Sequence, residues 1–130
     1  MLADPIQTLR DHGIQPSAQR VEVARYVLDT DEHPSADRVW EVVRERQPTI
    51  SRATIYNTLN LFVEHGLLRT LLLSEGHVVF DPKTNRHHHF VDEATGRIVD
   101  VPWDALDVGR IDELPFEVAD YQVVLRGRLS

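Results

Sequence analysis

The sequence predicts an α+β fold: an N-terminal winged helix-turn-helix followed by a small α/β dimerisation domain. Three observations carry that expectation. The first two-thirds of the chain reads as capped amphipathic helices that run into an alternating hairpin. The last third holds only short alternating segments broken by Pro102, Gly109 and Pro115, too little chain to bury a core of its own. Between them, Pro82-Lys-Thr-Asn-Arg86 is polar and reads as a hinge. The expected organisation is therefore residues 1–81 as the winged helix, 82–86 as hinge and 87–130 as the dimerisation domain.

Each element has a local reason. Pro5 to His12 reads as a short helix stopped by Gly13. Ser17 is placed to cap a second helix, in which Val21, Ala24 and Leu28, widened by Val23 and Val27, form the apolar stripe. His33-Pro34 breaks it. Ser35 caps a third helix with Ala36, Val39, Trp40 and Val43 at i, i+3, i+4 and i+7, closed by Gln47-Pro48. Ser51 opens a fourth, running to His65 with Gly66 as its stop. Its buried stripe is Ile55, Leu59, Phe62 and Val63; Asn57, Asn60 and Glu64 face the other way, with Arg52 and Tyr56 on the flank and Leu61 fitting neither face. Leu68–Leu73 and His77–Phe80, joined by Ser74-Glu75-Gly76, read as a hairpin. The third and fourth helices would then be the helix-turn-helix pair and the fourth its reader: Asn can bond adenine edges, Arg can reach guanine or phosphate, and a Tyr ring can pack on a thymine methyl.

Composition bounds the function. The chain has 130 residues, is 42% hydrophobic and 27% charged, and contains no cysteine. Disulfides, thiolate catalysis and thiolate zinc sites are excluded. With no signal segment and no apolar run long enough for a membrane span, a soluble cytoplasmic protein with no membrane partner is expected. The net charge of −7 divides into −3 up to residue 80 and −4 beyond, so DNA binding must rely on a local patch against an unfavourable overall field.

The chemistry concentrates in His87-His88-His89, three of the seven histidines. In an extended strand alternate side chains share a face, so His87 and His89 point together and His88 points away. A second hairpin, His87–Val91 with Arg97–Val101, would bring Asp100 back towards them, and Asp81 lies upstream. Imidazoles and carboxylates are donors for a divalent metal that prefers nitrogen and oxygen. Residues 102–118 allow at most a broken helix, and Tyr121–Arg126 reads as a last strand. A segment this small is expected to find its core by pairing with a second copy, which would present two reading helices to a palindromic double-stranded DNA operator.

The order of these motifs resembles the ferric uptake regulator (Fur) superfamily. The resemblance rests on Gly13-Ile-Gln-Pro-Ser-Ala-Gln-Arg20, His33-Pro-Ser-Ala-Asp37, Ile50-Ser-Arg-Ala-Thr-Ile-Tyr-Asn-Thr-Leu59, His65-Gly-Leu-Leu68, and Asp81 with His87-x-His89 and Asp100. It implies a regulatory metal, Fe²⁺ or Mn²⁺ at one site per protomer, held by His33, Asp81, His87, His89 and Asp100. It implies DNA contacts from Arg20, Ser51, Arg52, Thr54, Tyr56, Asn57 and Asn60, and a transcription regulator, a repressor by this reading, rather than an enzyme.

The departures are informative. Asp92 and Thr95 stand where many members carry the first of two Cys-x-x-Cys pairs, and the second pair is missing, so a structural tetrathiolate zinc site is impossible. Gln15 stands where many members place a basic residue. Asp at 81 and 100 is similar to the peroxide-sensing type (PerR), in which iron-dependent oxidation would fall on His33 or His87. The cysteine-free His87-His88-His89 segment looks like the iron-response type (Irr), in which haem would be the ligand of those three residues. A small non-haem iron enzyme is the remaining alternative, since the same donors with an open position suit oxygen chemistry.

Overall fold

The computed structural model describes residues 4–74, 77–83 and 85–129, the side chains of Leu73 and Ser74 aside. Glu75 and Gly76 of the expected turn and Thr84 of the expected hinge lie outside the described residues. The chain divides into two compact units, residues 1–84 and 85–130.

The first unit contains four helices and a hairpin: α1 (Pro5–Asp11), α2 (Ala18–Val27), α3 (Ala36–Val43), α4 (Arg52–Glu64), β1 (Arg69–Ser74) and β2 (His77–Asp81). Side-chain oxygens start every helix. The Asp4 carboxylate accepts from the Ile6 amide, and the Ser17, Ser35 and Ser51 hydroxyls accept from the amides of Arg20, Arg38 and Thr54. Each satisfies a donor that the first helical turn leaves without an intrahelical partner. Gly66 ends α4 with φ 79°, a left-handed conformation that glycine adopts without steric cost.

The core of this unit is one apolar cluster. Leu9, Val23, Val27, Val39, Ile55, Leu59 and Phe62 are fully buried, and Leu67, Leu68 and Phe80 join them from the hairpin. Two stripes differ from their expected centres. In α2, Val23, Ala24 and Val27 are buried while Val21 and Leu28 lie at the margin. In α4, Thr58 is buried with Ile55, Leu59 and Phe62, while Val63 packs against the cluster only partly buried. The Thr58 hydroxyl donates to the Thr54 carbonyl at 2.7 Å, which lets a polar residue sit on the apolar face without an unsatisfied group.

In the second unit β3 (His87–Asp92) pairs antiparallel with β4 (Ile98–Pro102) and parallel with β5 (Val124–Gly127), in the order β4-β3-β5. The tight turn after β3 is built by Asp92. Its two carboxylate oxygens accept from the Ala94 amide at 3.0 Å and the Thr95 hydroxyl at 2.8 Å. Gly96, at φ 77°, closes the turn by donating its amide to the Asp92 carbonyl. The helix allowed over 102–118 reduces to two 3-10 turns, Trp103–Ala105 and Ile111–Glu113. The last strand is shorter than expected. Val123 donates its amide to the His88 Nδ1 at 2.9 Å and Tyr121 turns into a ring stack, so regular pairing begins only at Val124. Among the described residues no helix is long and apolar enough to cross a membrane.

Candidate metal centre and nucleic-acid interface

The metal donors predicted from sequence fall into two sets, one in each unit. In the first unit the Phe80 amide donates to the Pro34 carbonyl at 2.9 Å, tying the end of β2 to the loop before α3. That bond brings Asp81 beside His33, with Oδ2 3.2 Å from Nε2. Both residues are buried. His33 sits at φ 53°, a left-handed conformation unusual for a residue with a side chain and more common for His, Asn and Asp than for most. The Lys83 amide donates to Asp81 Oδ1 at 2.9 Å, fixing the carboxylate so that its other oxygen faces the imidazole.

In the second unit β3 alternates as expected. His87 and His89 face together, their rings 4.6 Å apart in an edge-on arrangement. The register places Asp100 opposite His89, and its Oδ1 lies 3.5 Å from His87 Nε2 and 3.7 Å from His89 Nε2. Both imidazoles are buried and Asp100 is partly exposed.

The ring nitrogens carry a further message. His33 Nδ1 lies 3.1 Å from the Asp31 carbonyl and His87 Nδ1 lies 2.7 Å from the Asn85 carbonyl. A carbonyl oxygen only accepts, so in both rings Nδ1 carries the hydrogen. The other nitrogen, Nε2, then directs a lone pair or a second N–H at a carboxylate. Two lone pairs facing each other repel, and a metal ion between them would turn that repulsion into coordination. An imidazole that donates through Nδ1 to a backbone carbonyl and presents Nε2 outward is the usual posture of a metal-ligating histidine. The donors are nitrogen and oxygen throughout, which suits a divalent first-row metal; a tetrathiolate zinc site is impossible in a chain without cysteine.

His88 is turned the other way, so the three histidines of the haem reading do not share a face. It is fully buried and stacks on Trp103, ring centroids 4.4 Å apart, while its Nδ1 accepts from Val123. The Arg86 guanidinium lies over the other ring of that stack, 4.0 Å from the Trp103 centroid, and pairs with Asp120. Burial pushes the His88 imidazole below its usual pKa, with the Trp103 backbone hydrogen bond acting in the opposite sense. Strand alternation turned this residue away from His87 and His89 but named no partner for it there. The downstream Trp103 and Tyr121 were the available signal, because a strand histidine facing away from its neighbours needs a partner on the other side of the sheet.

The residues predicted to meet DNA lie on α4 and at the start of α2. Tyr56, Asn57 and Asn60 are exposed along one side of α4, as the helical spacing requires. Ser51 caps the helix and donates its hydroxyl to Thr54 at 2.9 Å, so both are engaged in the helix start. Arg20 is partly buried and donates to the Gln15 carbonyl at 2.9 Å. Arg52 lies over the Trp40 ring and pairs with Asp37 at 2.6 Å.

Similarities to known proteins bear on this arrangement. Residues 11–124 match the Ferric uptake regulator family. The peroxide-responsive repressor PerR of Staphylococcus epidermidis is 34% identical over 122 residues, spanning 94% of this chain and 80% of that protein. Among solved structures, the ferric uptake regulator of Vibrio cholerae superposes with a TM-score of 0.74 at 23% identity, over 97% of this chain and all of that one. The Pseudomonas aeruginosa regulator solved with manganese gives 0.70 at 25% identity, over 98% of each chain. The chain belongs to the ferric uptake regulator family and is a metal-sensing transcription regulator with PerR-like relatives, not an enzyme.

Proposed function

We propose that the protein is a homodimeric repressor whose affinity for a palindromic operator is set by one Fe²⁺ or Mn²⁺ per protomer, bound by His33, Asp81, His87, His89 and Asp100. The observation that carries the reading is the posture of the imidazoles. In each unit a buried histidine anchors Nδ1 on a carbonyl and presents Nε2 to a carboxylate, an arrangement that asks for a cation. His33 and Asp81 belong to the unit carrying α4, and His87, His89 and Asp100 to the unit proposed to dimerise. A cation shared by the two sets restrains residues 82–86, the hinge, and so favours one spacing of the paired reading helices. Metal then acts by its differential affinity for the DNA-competent state. The exposed apolar side chains of the second unit, Leu114, Phe116, Leu125 and Leu129 among them, support a dimer interface there.

The similarity to peroxide-responsive repressors supports peroxide as a signal. Bound ferrous iron would supply peroxide reduction beside the ligand imidazoles, with oxygen added to His33 or His87. What the chain itself contributes is orientation: the carbonyls of Asp31 and Asn85 hold those two rings in place.

The test is a DNA-binding titration with and without Mn²⁺ in a metal-free buffer, on duplexes enriched from a random pool. We expect at least about tenfold tighter binding with metal, a free-energy change of about 1.4 kcal/mol, and its loss in His89→Ala. Equal affinity in both conditions removes the switch.

A further inference from the structure

Trp40, half-buried on α3, carries two cations. The Arg44 guanidinium carbon lies 4.4 Å from the centroid of its ring and that of Arg52 lies 4.2 Å away. The indole N–H donates to the Ile50 carbonyl at 3.1 Å, so the ring is pinned to the segment that precedes α4. Arg44 is the C-cap of α3 and Arg52 the first residue of α4. Trp40 thus gathers charge from both helices of the helix-turn-helix pair.

Placement gives the pair its meaning. Arg52, Tyr56 and Asn60 are spaced i, i+4 and i+8, so they form one line along α4 with Asn57 beside it. All four are exposed. The two guanidiniums therefore extend the exposed stripe at the N-terminal end of the helix, the end that helix-turn-helix proteins turn towards base edges. A guanidinium laid on an indole loses torsional freedom but keeps its N–H edges, which match the oxygens of a phosphate. The surrounding unit is acidic overall, −3 up to residue 80, so a local concentration of two arginines is what an anionic backbone would find. In the free protein Asp37 sits against one of them, 2.6 Å from Arg52.

We propose that Arg44 and Arg52, held on Trp40, form a clamp for a DNA backbone phosphate beside the reading helix, with Asp37 as the internal counter-ion that DNA displaces. The proposal rests on α4 being the DNA reader. It adds Arg44 to the interface and makes Arg52 a positioning contact, not a base reader. Phosphate contacts set register without carrying sequence information, so Tyr56, Asn57 and Asn60 are left to read bases.

Fluorescence anisotropy in Mn²⁺ tests this with two labelled probes, a random-sequence duplex and one enriched from a random pool by the wild-type protein, across a salt series. Arg44→Gln and Arg52→Gln should each weaken both duplexes by the same factor and reduce the slope of log affinity against log salt by about 0.9. Asp37→Asn should tighten both several-fold, because it frees Arg52. Unchanged slopes in both arginine variants, or a loss confined to the enriched duplex, would overturn the clamp. Weaker binding by Asp37→Asn would overturn it too, by making the ion pair a structural brace. Wild-type protein that binds neither duplex would overturn the DNA-reading role of α4 and the clamp with it, an outcome distinct from altered slopes in the variants.

Discussion

The two units solve the same problem with different materials. The first buries a continuous apolar cluster, from Leu9 and Ile14 through Ile55, Leu59 and Phe62 to Phe80. The second has Val91 and Ile98 as its buried hydrophobic residues among those described, and buries His87, His88, His89 and Asp92 beside them. Apolar burial is non-directional and tolerates small displacements. Buried polar groups are stable only when their partners stand at the right distance and angle. The helical unit is therefore expected to fold on its own terms, whereas the sheet unit depends on satisfied imidazoles, on a ring stack and on whatever completes it: a cation, a second copy, or both.

The sharpest way to break this contrast is to damage the first unit. Phe62 is fully buried in the apolar cluster, and Phe62→Ala should cost about 3–5 kcal/mol. Urea unfolding followed by tryptophan fluorescence would measure it, since Trp40 lies in that unit and Trp103 in the other. A loss below about 1 kcal/mol would mean that the apolar cluster is not what holds the helical unit together. Next in size is the metal. Mn²⁺ at about a hundred times its dissociation constant should stabilise the protein by about 2.7 kcal/mol, seen as a raised Tm, and His89→Ala should remove most of the gain. Stabilisation retained in that variant would place the ion elsewhere.

The smallest effect concerns pH and the ring stack. Burial holds the folded His88 below its ordinary pKa of 6.5. The unfolded chain therefore binds a proton more readily than the folded one. The stability that neutral His88 contributes is present above about pH 6.5 and is lost as pH falls through the lower folded value. Without metal, His88→Phe should flatten the decline of Tm at acidic pH while keeping the stack on Trp103. An unchanged slope would show that other groups govern the acid limb.

Much of the helical unit was legible because its determinants are local. Ser17, Ser35 and Ser51 act as caps where they were expected to, and Gly66 ends α4. A cap needs only the next three residues, so a short window contains the whole cause. The face shared by His87 and His89 was legible for the same reason, as strand alternation is a property of consecutive residues. What could not be read depends on residues far apart in the chain. Nothing near Trp40 announces that Arg52 will lie on it, and nothing in Tyr121–Arg126 says that the strand will run parallel to β3. His88 becomes a structural residue only when Trp103 and Val123 arrive from downstream. Thr58 shows the opposite limit: a polar residue joins the apolar face because its own backbone, one turn earlier, takes the hydroxyl.

The turn at Asp92 reaches beyond its geometry. It is closed by a carboxylate, a hydroxyl and two amides, in a chain with no sulfhydryl anywhere. Reagents that attack thiols, such as diamide or electrophilic quinones, consequently have no cysteine to strike, and chelators have no tetrathiolate zinc to extract. Oxidants that work by pairing thiols thus find no purchase on this chain.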